Sequence, residues 1–172
     1  MDMKLLHQKF CKETFGPTGV IEKFEPVYGG DFNFAYDVID AIAKEEPARR
    51  AMVWCNVAGE KRTFTFGEMA DYASRAARLF LDHGIRRGDR VMLVLKRHYQ
   101  FWPAILGLHK IGAIAIPATH LLTAKDYLYR FGSAGVSAIV ASAEDGTPAH
   151  IEEAMASYPG LKPRFIVRGE KE

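Results

Sequence analysis

The polar and apolar positions give their clearest signal between Asp89 and Ala141, where short apolar runs alternate with amphipathic segments. Val91-Met92-Leu93-Val94-Leu95 is continuously apolar after Gly88-Asp89, the pattern of a strand buried on both faces. Ile114 to Pro117 and Ala138 to Ala141 repeat it. Between them, Tyr99 to Ile111 places Phe101, Trp102, Ile105 and Leu108 on one helical face, and Thr123 to Ala134 does the same with Tyr127, Leu128 and Phe131. Strand, helix, strand, helix, strand is the grammar of a parallel sheet with right-handed crossovers, and we expect both helices on the same face of it.

Upstream of this relay the signals are more local. Leu5, Leu6 and Phe10 predict a short peripheral helix over Met3 to Phe15, ended by Gly16-Pro17, and Thr18 to Gly30 reads as an irregular surface arm. Asn33 is the N-cap candidate of a helix with Phe34, Val38 and Ile42 at i, i+4, i+8, stopped by Pro47. Ala51 to Asn56 and Lys61 to Thr65 flank a turn and predict an antiparallel hairpin that makes the sheet mixed. Thr65-Phe66-Gly67-Glu68 fits a capping box, which starts a helix with Met69, Tyr72, Ala73, Ala76 and Phe80 inward and Gly84 as its left-handed stop. Asp71 and Arg75 are placed to pair on its outer side.

Downstream, Thr123-Ala124-Lys125-Asp126 is a weaker box, and Thr147-Pro148 predicts a capping hydroxyl before a proline at the first helical position. Pro163 to Arg168 gives one more strand, after which the sequence runs out without a stop signal of its own. The fold class is therefore α/β: a mostly parallel sheet with crossover helices plus an antiparallel hairpin, in residues 31–172, with residues 1–30 as an N-terminal helix and arm.

Composition narrows the function classes. The 172 residues are 48% hydrophobic and 26% charged with a net charge of +2, which excludes both a disordered chain and a strongly basic nucleic-acid surface. No run has the length or uninterrupted apolarity of a signal peptide or a membrane span, so the expectation is a cytoplasmic protein with no membrane span. Cys11 and Cys55 form no C-x-x-C pair and read as reduced thiols, Cys55 as a small core residue within its strand.

Ligands of open α/β sheets gather beyond the carboxyl ends of the strands, which directs attention to Lys96-Arg97-His98, Thr119-His120-Leu121-Leu122 and Ser142-Ala143-Glu144-Asp145. The first is cationic and suits a phosphate, although charged loop residues are more often simply solvated. His98, His109 and His120 fall on different elements, which argues against a zinc site. Phe101 and Trp102 suit an acyl pocket or, more simply, core packing. The Walker, dinucleotide-fingerprint, nucleophile-elbow and H-E-x-x-H patterns do not occur.

Leu108-His109-Lys110-Ile111-Gly112-Ala113-Ile114-Ala115-Ile116-Pro117 resembles a core motif of the AMP-forming acyl-CoA synthetases. Thr63 to Met69 resembles their earlier strand and helix-start motif. Within that superfamily the likeness runs to medium-chain acyl-CoA synthetases and bacterial acetyl-CoA synthetases, through Phe32 to Ala35, Arg87 to Val91, Leu128 to Arg130 and Ser137 to Ala141, all in the family's order.

This resemblance implies the N-terminal subdomain of the synthetase fold and a two-step ligase: a carboxylic acid is adenylated by ATP and Mg, and coenzyme A then displaces AMP. By this resemblance the phosphate loop comes after the equivalent of Val167 and the mobile lysine belongs to a small C-terminal domain, and neither these nor the magnesium carboxylate and the ribose acid are found among these residues. By the same resemblance Thr119, His120, Leu121 and Leu122 form a wall of the coenzyme A tunnel. The coenzyme A arginines of some relatives find Pro148 and Ile151 near their places, so that role is not carried over. The chain is expected to act as scaffold, to be inactive alone and to self-associate through faces left uncovered. The alternatives are a free-standing binding or regulatory domain, and a small-molecule site at Lys96 to His98.

Overall fold

The structure is a computed structural model that describes residues 7–160 and 163–168. At its centre is a four-stranded, all-parallel sheet in the order β6 (Ile114–Pro117), β5 (Arg90–Val94), β7 (Ala138–Ser142), β8 (Arg164–Arg168). Val91 to Leu95 are buried at 0 to 2% exposure, as their unbroken apolarity requires.

Alternate residues of β5 feed two separate cores. Val91, Leu93 and Leu95 pack with Ala104 and Leu108 of α4 (Phe101–Lys110) and Phe80 of α3 (Phe66–Asp82). Met92 and Val94 pack with Tyr127 and Phe131 of α5 (Ala124–Ala134) and Ile151 and Ala154 of α6 (Thr147–Ser157). The two crossover helices α4 and α5 thus cover opposite faces, contrary to the sequence expectation. The reason is strand order: β5 steps to β6 in one direction, and β6 then steps back past β5 to β7, so the same crossover handedness delivers the second helix to the other side.

The helix α3 begins as its box predicts: Thr65 Oγ1 accepts from the Glu68 amide at 3.2 Å and a Glu68 carboxylate oxygen accepts from the Thr65 amide at 2.8 Å. Its stop uses Gly84 at φ 75°, with the Ile85 amide reaching back to the Phe80 carbonyl at 2.9 Å. Asp71 and Arg75 lie at 3.8 Å, both well exposed, an arrangement worth only about 0.3 kcal/mol. Where α3 crosses α4, Gly107 allows contact so close that a β-carbon there would sit 2.8 Å from Ala76 Cβ and from the Ala77 nitrogen.

The hairpin β3 (Arg50–Cys55) with β4 (Lys61–Thr65) forms as expected, but it does not join the parallel sheet. Its Phe64 packs with Met69 and Ala73 of α3 and Leu106 of α4, so it covers the outer side of that helical layer instead of making the sheet mixed. Cys55 is exposed at its end and is not a core residue.

The segment after Asn33 is a π-helical turn, Ala35–Asp40, continuing into α2 (Ala41–Glu45). Asn33 Oδ1 accepts from the Ala35 amide at 3.0 Å, close to its predicted capping role. The wider turn rotates the buried stripe to Ala35 and Ile42 and leaves Phe34 exposed.

The predicted first helix falls partly on residues outside those described. Of it, α1 (His7–Phe10) is helical, whereas β1 (Cys11–Phe15) pairs antiparallel with β2 (Ile21–Pro26) in a ribbon. What reads as a helix stop at Gly16-Pro17 followed by an irregular arm is a hairpin turn, closed by Gly16 N to Val20 O at 2.9 Å with Gly19 at φ 77°.

Candidate functional site

Parallel strands bring their carboxyl ends to one edge, and β5 and β7 are neighbours that leave that edge for opposite faces, β5 into α4 and β7 into α6. That divergence opens a crevice at a topological switch point. Two of the three strand tips singled out in the sequence meet there. Lys96 Nζ lies 3.1 Å from Glu144 Oε2 and also contacts Asp145 Oδ2, while His98 Nε2 lies 2.9 Å from Glu144 Oε1.

The tip of β5 is braced from outside. Trp54 Nε1 donates to the Arg97 carbonyl at 2.7 Å. Tyr99 OH accepts from Arg62 at 3.0 Å, and the same guanidinium donates to Tyr72 OH at 2.7 Å while lying 4.5 Å from the Phe64 ring centre and 4.9 Å from that of Tyr99. The hairpin β3–β4 therefore positions the loop that carries Lys96, Arg97 and His98.

The electrostatics follow from these contacts. Hydrogen bonds from Lys96 hold the Glu144 and Asp145 carboxyls below their usual range, and the two carboxylates hold Lys96 above its own. The field of His120, from the tip of β6, acts on Asp145 in the same sense as Lys96. Next to this cluster lies an open depression of about 290 Å³ lined by Lys96, Arg97, His98, Phe101 and Trp102. Trp102 is 52% exposed there, so it is not the core residue that its helical spacing indicated.

The cationic tip read from the sequence is thus a balanced cluster. Sequence reasoning named both tips but missed their pairing, because nothing local says that β7 lies beside β5. Of the third tip, Thr119 Oγ1 accepts from the Leu121 amide at 3.3 Å, Leu121 is exposed, and Leu122 packs into the core of α5 and α6. His109 sits apart in α4, where burial lowers its pKa. Among the described residues no group of three His, Cys, Asp or Glu side chains converges as a metal site would need, and no helix is long and apolar enough to cross a membrane.

The profile of the AMP-binding enzyme family matches residues 39–169. The chain is 32% identical over 167 residues to human "Acyl-coenzyme A synthetase ACSM4, mitochondrial", covering 94% of this chain and 28% of the relative. It is 34% identical over 142 residues to rat "Acyl-coenzyme A synthetase ACSM5, mitochondrial", covering 79% and 24%. Among solved structures it superimposes on a benzoate CoA ligase from Burkholderia xenovorans LB400 with a TM-score of 0.65 at 25% identity, covering 80% of this chain and 26% of that one. The N-terminal domain of FACL13 from Mycobacterium tuberculosis shares the fold, with a TM-score of 0.65 at 21% identity, covering 79% of this chain and 34% of the other. The chain spans about a quarter of the length of the curated relatives it matches.

Proposed function

Since the chain belongs to the AMP-binding enzyme family, we propose that it is the supporting N-terminal part of an acid–thiol ligase that joins a carboxylic acid to coenzyme A at the expense of ATP. The observation that carries this reading is the family match across residues 39–169, on a fold whose strand tips present one face of a cleft. In such a ligase ATP with Mg supplies the adenylate leaving group, and coenzyme A supplies the accepting thiol.

The residues of this chain fit support better than chemistry. Lys96, the lysine at the strand tips, is held by two carboxylates and is a poor candidate for a triphosphate. Thr119 and Leu121 are exposed and His120 is half-buried beyond β6, with Leu122 anchoring the turn from within, a placement compatible with a wall of a coenzyme A tunnel. Exposed Phe15, Ile21 and Phe24 on the β1–β2 ribbon are the faces through which the chain would self-associate. A cytoplasmic location belongs to the same reading.

The test is ATP–pyrophosphate exchange with a panel of carboxylic acids. The chain is expected to give no acid-dependent exchange, and exchange above background would overturn the supporting role. Sedimentation tests the companion statement: a monomer at all concentrations would remove self-association from it.

A further inference from the structure

The segment that reads as a surface arm ends in a second depression, which shares no residue with the strand tips. It has a volume of about 380 Å³ and lies where α1, the end of the β1–β2 ribbon and the approach to the π-helical turn meet. Three aromatic rings wall it. Phe10 and Phe32 stand with centres 5.1 Å apart and planes at 60°, and Tyr28 and Phe32 with centres 5.9 Å apart and planes at 44°. Rings at such angles form a corner instead of a stack and keep faces open: Tyr28 is 68% exposed and Phe32 37%. Gly29 completes the lining, and apart from its own chain neighbours nothing lies within 4 Å of the place where its β-carbon would be.

Charge distinguishes this corner from an ordinary exposed apolar patch. Asp31 and Asp37 line it together with Lys9, two carboxylates against one ammonium. Asp37 accepts the Asn33 amide at 2.7 Å, which fixes its carboxylate at the entry to the π-helical turn, whereas Asp31 has no ion-pair partner among the described residues. Lys9 makes an ion pair with neither acid. Its Nζ lies instead 5.2 Å from the centre of the Phe10 ring. The corner thus already holds an ammonium group, supplied by the chain itself, on a ring beside two carboxylates.

We propose that this corner is a binding site for an alkylated ammonium group, in which the Lys9 ammonium occupies the place of the guest. An aromatic face attracts a cation through its quadrupole, and the attraction is strongest for a cation that gives up little hydration. Methyl groups shed water where a primary ammonium holds it, so an alkylated guest covers ring surface that Lys9 leaves wet. Asp31 and Asp37 supply the counter-charge, which needs no direct hydrogen bond. Lys9 and the guest cannot share the corner without like-charge repulsion, so the guest displaces the lysine. No covalent step is involved. The inference stands on this geometry and does not depend on the ligase reading.

The probe is tetramethylammonium chloride, followed through the backbone and aromatic resonances of the 172-residue chain. Potassium chloride at equal ionic strength and neopentyl alcohol, an uncharged molecule of similar shape, run alongside. Tyr28, Gly29 and Phe32 should shift together with tetramethylammonium and stay fixed with the other two. Lys9→Ala should bind the probe about threefold more tightly, since a competing ammonium is gone, and Asp31→Asn and Tyr28→Ala each about threefold more weakly. A control pair on the outer side of α3, Asp71→Asn with Asp82→Asn, should change affinity less than about twofold.

Equal shifts with neopentyl alcohol would reduce the corner to an apolar patch, and equal shifts with potassium to a general acidic field; either overturns the proposal. So does a Lys9→Ala variant that gains nothing or an Asp31→Asn variant that loses nothing. Lys9, Tyr28 and Asp31 are all exposed, and should a variant still fail to fold, the unmodified chain decides: signals that do not move at the highest probe concentration would sink the idea. Sedimentation with phosphatidylcholine vesicles identifies the carrier of the group. A chain that binds the probe but stays in the supernatant takes it from soluble compounds, and co-sedimentation abolished by Asp31→Asn assigns it to a lipid headgroup.

Discussion

The strand β5 and the strand β2 are of similar length, yet they live in opposite surroundings. Every residue of Val91–Leu95 is sealed between two helical layers, whereas all six residues of Ile21–Pro26 are exposed. The Val27 amide to the Phe10 carbonyl at 2.7 Å extends the ribbon of β1 and β2 by one more rung, and beyond the ribbon Phe10 packs against Phe32 with ring centres 5.1 Å apart. A two-stranded ribbon has no second apolar face to bury and is marginal by itself. Strand formation and strand stabilisation are therefore separate matters here: the first is local, the second belongs to whatever covers the strand.

The largest effect should come from substituting the layers that seal β5. Phe131→Ala, at 1% exposure between α5 and the sheet, should cost about 3 to 5 kcal/mol in chemical denaturation, and Gly107→Ala about 3 kcal/mol because Ala76 and Ala77 stand where its methyl must go. Phe24→Ala in the ribbon should cost less than about 0.5 kcal/mol. Comparable losses for Phe24 and Phe131 would erase the contrast.

A smaller effect separates charge from backbone at the edge of the sealed sheet. Lys96→Ala and Lys96→Gly both remove the ammonium, but only glycine relieves the left-handed backbone at φ 47°, so the glycine variant should be the more stable by about 1 kcal/mol. Equal stabilities would mean that the backbone there carries no strain. Tyr127 tests the interior: its hydroxyl is buried with no hydrogen-bond partner among the described residues, and burial pushes its pKa up to about 12. Tyr127→Phe should therefore stabilise by about 1 kcal/mol near neutral pH. The raised pKa adds an alkaline signature, with stability intact below about pH 10 and lost as pH rises towards 12, which the phenylalanine variant should lack.

The smallest effect concerns His109, whose pKa is lowered by burial. Because the unfolded chain takes up this proton more readily than the folded one, the stability involved is fully present above about pH 6.5 and declines as pH falls towards the depressed folded value. His109→Gln should flatten the stability profile in that interval, by melting temperature measured against pH. An unchanged slope would place the acid sensitivity elsewhere.

Much of this fold is legible from local chemistry. The box at Thr65 and Glu68, the stop at Gly84, the hairpin around Val57 to Glu60 and the apolar runs of β5, β6 and β7 each state their own structure within a few residues. The ribbon was not legible, since Lys12, Glu13 and Lys23 break any period of two and both faces meet water. Trp102 and Cys55 were misplaced for a related reason: spacing assigns a residue to a face, but not what lies opposite that face.

The candidate site shows the same division. The residues of each strand tip, their charges and the glycine that lets a turn close were all determined by the sequence. That Lys96 spends its charge on Glu144 and Asp145 was decided only when β7 came to lie beside β5, with α4 and α5 on opposite faces. Periodicity encodes what happens within one element, over a few residues and one hydrogen-bond ladder, whereas strand order is fixed by the packing of whole layers, and that packing brought together charges 48 residues apart in the chain.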